Sequence, residues 1–143
     1  MRLSDPARKL VRRGGIALGL LGMAPPAVAQ ITFLKCTYQW QSSTGSGQEV
    51  VNWGFDNAAV YWWHPQTGLI AACDPKAAFI PEGGRCAARV TDSAILRDVV
   101  ESHYQSHVVI DRLSGSYHDT STYSSSTGTC ARTADPRTAP KAF

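Results

Sequence analysis

His103 and His107 stand in an H-x3-H spacing. On a helix, residues at i and i+4 share a face, and two imidazoles placed so suit a metal ion. Tyr104 follows His103, so the H-E-x-x-H form is absent. Glu101 or His118 would have to supply a third ligand. The plainer reading is two surface imidazoles, and neither a metal nor any other cofactor is expected. Covalent chemistry has little to draw on. Gly45-Ser46-Gly47 lacks the surroundings of a nucleophile elbow. Asp111 and Arg112 are adjacent, would face opposite sides of a strand, and are expected to seek structural partners. No catalytic residues are assigned, and a non-enzyme is expected.

The aromatic residues are unevenly placed. All four tryptophans lie between positions 40 and 63. Trp62 and Trp63 are consecutive, so on a strand they face opposite sides. An exposed aromatic on a sheet suits a sugar ring or a partner's surface. The candidate binding surface is therefore Trp62, Trp63, Tyr61 and Trp53, flanked by the Cys73–Cys86 loop. The opposing reading places these rings in the core or under loops.

The N-terminus reads as an address. Five basic residues and one acid fall within positions 1–29, out of 14 and 11 in the whole chain. The remainder holds nine basic and ten acidic residues, which argues against a nucleic-acid-binding body. A basic segment to Arg13, a short apolar run over 14–23 and Ala27-Val28-Ala29 follow the order of a cleaved signal peptide. The run is short of the ~20 residues that span a bilayer, so no stable membrane anchor is expected after cleavage. Arg12-Arg13 leaves twin-arginine export open beside ordinary secretion. A periplasmic or extracellular protein is expected.

Cys36, Cys73, Cys86 and Cys130 are even in number and lack zinc-site spacing, as suits two disulfides in an oxidising compartment. Three connectivities exist. The nested one, Cys73–Cys86 with Cys36–Cys130, suits the positions best. Loop-closure entropy gives about 3 kcal/mol for the short bridge and about 5 kcal/mol for the long one.

Alternating patterns predict strands over 32–40, 49–55 and 59–64, with a turn at Asp56-Asn57. Residues 66–85 show no period and read as a long stapled connection. His107–Arg112 and 116–123 form a hairpin, Ser124–Gly128 reads as a polar loop, and 129–132 is a last strand. Residues 93–104 are ambiguous. Ile95, Leu96, Val99, Val100, His103 and Tyr104 have helical spacing, with Asp92 or Ser93 as cap. Strands at 88–91 and 95–100 around a turn are the alternative. The fold expected is a small all-β antiparallel sandwich or squashed barrel of about seven or eight strands. It is one domain over 30–132, with 1–29 as signal peptide and 133–143 as a flexible tail.

Val90–Ile95, Ile110-Asp111-Arg112-Leu113-Ser114-Gly115 and Gly128-Thr129-Cys130 occur in order after the early Cys36. This resembles small uncharacterised exported proteins of proteobacteria that carry Ile-Asp-Arg, any residue, Ser or Thr, and Gly, followed by Gly-x-Cys. The resemblance spans about residues 32–132. It implies a small antiparallel β fold, favours a strand at 95–100, and makes Cys36–Cys130 the shared bridge. It supplies no activity. The layout is also loosely similar to periplasmic inhibitors of c-type lysozyme, at the level of fold alone. The function expected is a non-enzymatic exported binding or inhibitor module, with an envelope protein or a glycan as partner. The alternatives are an envelope-associated structural protein and a metal-dependent hydrolase built on His103 and His107.

Overall fold

The computed structural model describes residues 30–75 and 80–138. Residues 1–29, read from sequence as a signal peptide, the middle of the Cys73–Cys86 loop and the end of the tail lie outside the described residues. Nine strands follow one another: β1 Thr32–Ser42, β2 Gly45–Phe55, β3 Val60–His64, β4 Gly68–Ala71, β5 Arg85–Val90, β6 Ala94–Glu101, β7 Tyr104–Asp111, β8 Ser116–Ser121 and β9 Ser124–Thr133. They form one antiparallel sheet in the order β4-β3-β2-β1-β9-β8-β7-β6-β5. The sheet curls into a half-barrel. The strand beyond the expected seven or eight is β4, which falls in the segment read as a long connection. Its four residues are too few to show a period.

The strand reading of 93–104 holds, and the helix is corrected. Thr91 decides it. Its amide donates to the Ala94 carbonyl at 2.8 Å, and its Oγ1 accepts the Ala94 amide at 2.9 Å. That closes a turn where a helix would have begun. Ile95, Arg97 and Val99 then point inward with period two.

The Ile110–Gly115 run is likewise explained by its turn. Asp111 Oδ1 accepts the amides of Leu113 and Ser114 at 2.9 and 2.7 Å. Those bonds hold the carboxyl below the ordinary carboxylate range. Gly115 has φ of +73°, and a Cβ there would sit 2.7 Å from the Cys130 carbonyl oxygen. Arg112 lies 5.1 Å over the Phe55 ring and donates to the Thr91 carbonyl. These residues hold two turns and a ring together; the partners are in Asp111's own turn and at Thr91 and Phe55, not across the β7–β8 hairpin.

β9 is longer than expected. It runs from Ser124 through the presumed polar loop and pairs with β1 over ten residues. The tail is fixed at its start: Thr133 ends β9, Pro136–Thr138 make a 3-10 turn, and Arg137 stacks 5.3 Å over Phe33.

The disulfides are nested. Cys36 and Cys130 are register partners on β1 and β9. Cys73–Cys86 joins the end of β4 to the start of β5, the two free edges. The inner face carries Leu34, Cys36, Val51, Trp53, Phe55, Val60, Ile95, Val108, Ile110 and Tyr117 as one core.

Gly128 lets β1 and β9 close up. Its absent Cβ would lie 2.2 Å from the Thr37 carbonyl oxygen. Across it, Tyr38 and Tyr117 stack with centroids 5.0 Å apart. Gly128→Ala is expected to destabilise by about 3 kcal/mol through overpacking. Thr127→Ala, an exposed neighbour, is expected to stay within about 0.5 kcal/mol. Urea unfolding of the two variants checks this, and equal midpoints would contradict it.

Candidate functional site

Cross-strand register places every inward residue in rows across the curl. One row reads Ala88, Arg97, Val108, Asp119, Ser126, Trp40 and Gly47, passing over β5, β6, β7, β8, β9, β1 and β2. The next row reads Ile95, Ile110, Tyr117, Gly128, Tyr38 and Glu49. One end of the concave face is therefore apolar. The other gathers an arginine, two acids, two stacked tyrosines and serines.

Arg97 is 5 % exposed. Its Nε donates to the Ala72 carbonyl at 2.9 Å, across the hollow from β6 to the end of β4. Its Nη2 is buried without a hydrogen-bond partner. An orphaned donor on a buried charged group costs more than a neutral one. Burial lowers the affinity of the guanidinium for its proton, against the attraction of Tyr104, Asp119 and Tyr117. Asp119 is half-buried two strands away. Burial raises its pKa above the ordinary carboxylate range, opposed by the Ser106 hydroxyl at 3.3 Å and by the charge of Arg97. Guanidinium and carboxylate attract one another without touching. Tyr38 donates to Glu49 Oε2 at 2.8 Å. Burial most of all, and then Glu49, push the Tyr38 hydroxyl upward in pKa. Tyr117 is raised by burial and by Asp119.

The residues singled out from sequence do not come together. Trp53 is 3 % exposed and stacks on Trp62 at 5.8 Å within the core side. Trp63 and Tyr61 fall on the opposite, convex face, and the Tyr61 hydroxyl is held by Asp56 at 3.1 Å. The four rings thus serve two faces, and they form no single platform. His103 sits in the β6–β7 turn, where Glu101 accepts its amide at 3.0 Å. His107 lies on a strand, where a four-residue separation spans about 13 Å, so the helical H-x3-H face does not form. Its Nδ1 instead meets Asp98, which also lies 4.0 Å from Arg89. His118 is on β8, opposite Val109 and Thr127. Among the described residues, no three His, Cys, Asp or Glu are grouped to hold a metal.

Arg97 and Asp119 were missed by sequence reasoning. The signal was a charged residue in the inward phase: Ile95-x-Arg97-x-Val99 and Tyr117-x-Asp119. The competing helical reading of 93–104 concealed the first. No family model matches this chain, and no curated protein matches it. The two disulfides point to a non-cytoplasmic compartment. Among the described residues, no helix is long and apolar enough to cross a membrane.

Asp119 binds its proton more tightly folded than unfolded. Its contribution to stability is therefore full below the unfolded pKa and is lost as pH rises through the folded value. Asp119→Asn is expected to melt at a higher temperature than the natural chain at pH 7, with the gap closing toward pH 3. Thermal unfolding across that range checks it. A gap that is constant with pH would contradict it.

Proposed function

We propose that this chain is an exported, non-enzymatic binding module that takes its partner on the polar end of the concave face. The carrying observation is Arg97, buried on the concave side with an Nη2 that has no hydrogen-bond partner, in the same cross-strand row as the half-buried Asp119. Convergent polar groups with perturbed proton affinity on a concave face mark a binding site by default. Solvent reaches the polar end at Asp119 and Trp40 in this row and at Tyr38 in the next, each only half-buried, while Arg97 Nη2 is buried. Export rests on the order of basic, apolar and small-residue segments over 1–29, supported by the two disulfides. The periplasm or the extracellular space is the compartment proposed.

The absence of catalysis rests on chemistry. The hydroxyls here are committed to neighbours: Ser106, which is buried, donates to Asp119, and Tyr38 donates to Glu49. Binding through Arg97 and Asp119 needs no bond to break.

The test is capture from envelope extract by the oxidised mature chain, residues 30–143. Asp119→Asn is expected to reduce capture at least tenfold, while Trp63→Ala on the convex face leaves it unchanged. Loss with Trp63→Ala and retention with Asp119→Asn would move the site to the convex face.

A further inference from the structure

We propose that the apolar end of the concave face holds a site of its own, for a small amphipathic anion: a short acyl or aryl chain ending in a carboxylate. It stands apart from Arg97 and Asp119, beside the Asp111–Gly115 turn. A cavity of about 240 Å³ opens there. The core residues Leu34, Phe55 and Ile110 line it, and the exposed Arg112, Leu113 and Arg132 stand at its rim. At about 30 Å³ per liquid water, 240 Å³ equals about eight waters, room for a short chain or one ring.

The rim is built before a ligand arrives. The Arg112 amide donates to the Ser93 carbonyl at 2.8 Å, and the Cys130 amide donates to the Gly115 carbonyl at 2.7 Å. Between them the turn is closed by Asp111 Oδ1, which accepts two of its amides. This fixed backbone holds Leu113 out in water at 85 % exposure, the highest among the described large hydrophobic residues. Register places the charge. Arg132 pairs with Leu34 across β9 and β1, so its side chain leaves the sheet on the inner face, two residues beyond Cys130. Among the described residues it joins no ion pair, and neither does Arg112, whose guanidinium lies over Phe55 and donates to the neutral Thr91 carbonyl. The acid in the lining, Asp111, is already engaged by the turn. Two uncompensated cations thus stand beside an apolar wall. An anion without a chain would leave that wall and Leu113 in water. A neutral chain would leave both guanidiniums unused, and a cationic head would be repelled. A carboxylate on a short chain meets both needs, since its two oxygens match the guanidinium fork.

The test is an NMR titration of the oxidised mature chain with sodium hexanoate, 1-hexanol, hexylammonium chloride and sodium acetate, read at the backbone amides. Hexanoate is expected to saturate, to shift the amides of Leu113, Ser114, Gly115 and Arg132, and to bind about tenfold more tightly than hexanol, with acetate and hexylammonium weaker still. Arg132→Gln, at an exposed position, is expected to weaken hexanoate about fivefold and to leave hexanol unchanged. Thr127→Ala is expected to change neither. The unshifted remainder of each spectrum establishes that the variants are folded. Equal affinity for hexanoate and hexanol, or an Arg132→Gln variant that binds hexanoate as before, would overturn the anionic head. Binding of acetate as tight as hexanoate would overturn the chain. No shift at the Asp111–Gly115 turn would overturn the site. Sedimentation with phosphatidylglycerol vesicles that is lost in Leu113→Ser, without hexanoate binding, would overturn it in favour of a lipid surface.

Discussion

Everything in this fold turns on how the two ends of an odd-numbered antiparallel sheet are held together. From β4 to β5 there are eight antiparallel steps, so the two free edges run in the same direction. A tight hairpin joins only antiparallel neighbours. These edges are consecutive in sequence yet cannot be hairpin partners. The chain solves this with a connection, the Cys73–Cys86 disulfide and the Arg97–Ala72 hydrogen bond. The Cys86 sulfur also lies 3.8 Å from the same Ala72 carbonyl oxygen, which places both restraints at one point. An unrestrained edge would expose unpaired backbone and invite pairing with another chain.

Arg97 links this closure to function. Its Nε is committed to the edge, and that commitment fixes the guanidinium deep on the concave face. Nη2 is left buried without a hydrogen-bond partner. A Met or Leu in its place would pack against Val99 and Val108 without desolvating a charge. The arginine is thus poorly explained by stability alone. The same holds for Asp119, whose ionised form is disfavoured by burial. Local violations of good packing tend to sit at binding sites, where the ligand supplies what the free protein lacks.

Much of the fold was legible because strand alternation and turn chemistry are local. The β1 pattern around Cys36, the Asp56 turn and the β7–β8 hairpin all express themselves within a dozen residues. In the Asp56 turn, one carboxylate oxygen accepts the amides of Ala58 and Ala59 at 2.8 Å. What stayed hidden depended on long-range registration. β4 has no pattern of its own and exists because His64–Gly68 pairing folds it back on β3. The spacing over 93–104 slightly favours a helix, and the Thr91–Ala94 closure makes it a strand. The concave row was the least legible. Arg97, Asp119 and Trp40 are far apart in sequence and meet only when five strands align. The tryptophans misled in the other direction: opposite facing of Trp62 and Trp63 followed from strand geometry, but which partner each ring would find did not.

The most direct test of the closure is hydrogen exchange of the oxidised chain against the Cys73→Ser/Cys86→Ser double variant. The account predicts faster exchange in β3 through β5 and at the Ala72 amide, which donates to the Val60 carbonyl at 2.9 Å. β1, β2, β8 and β9, tied by Cys36–Cys130 and their long ladders, should keep their protection. Uniform loosening of all nine strands, or no change at the two edges, would contradict it.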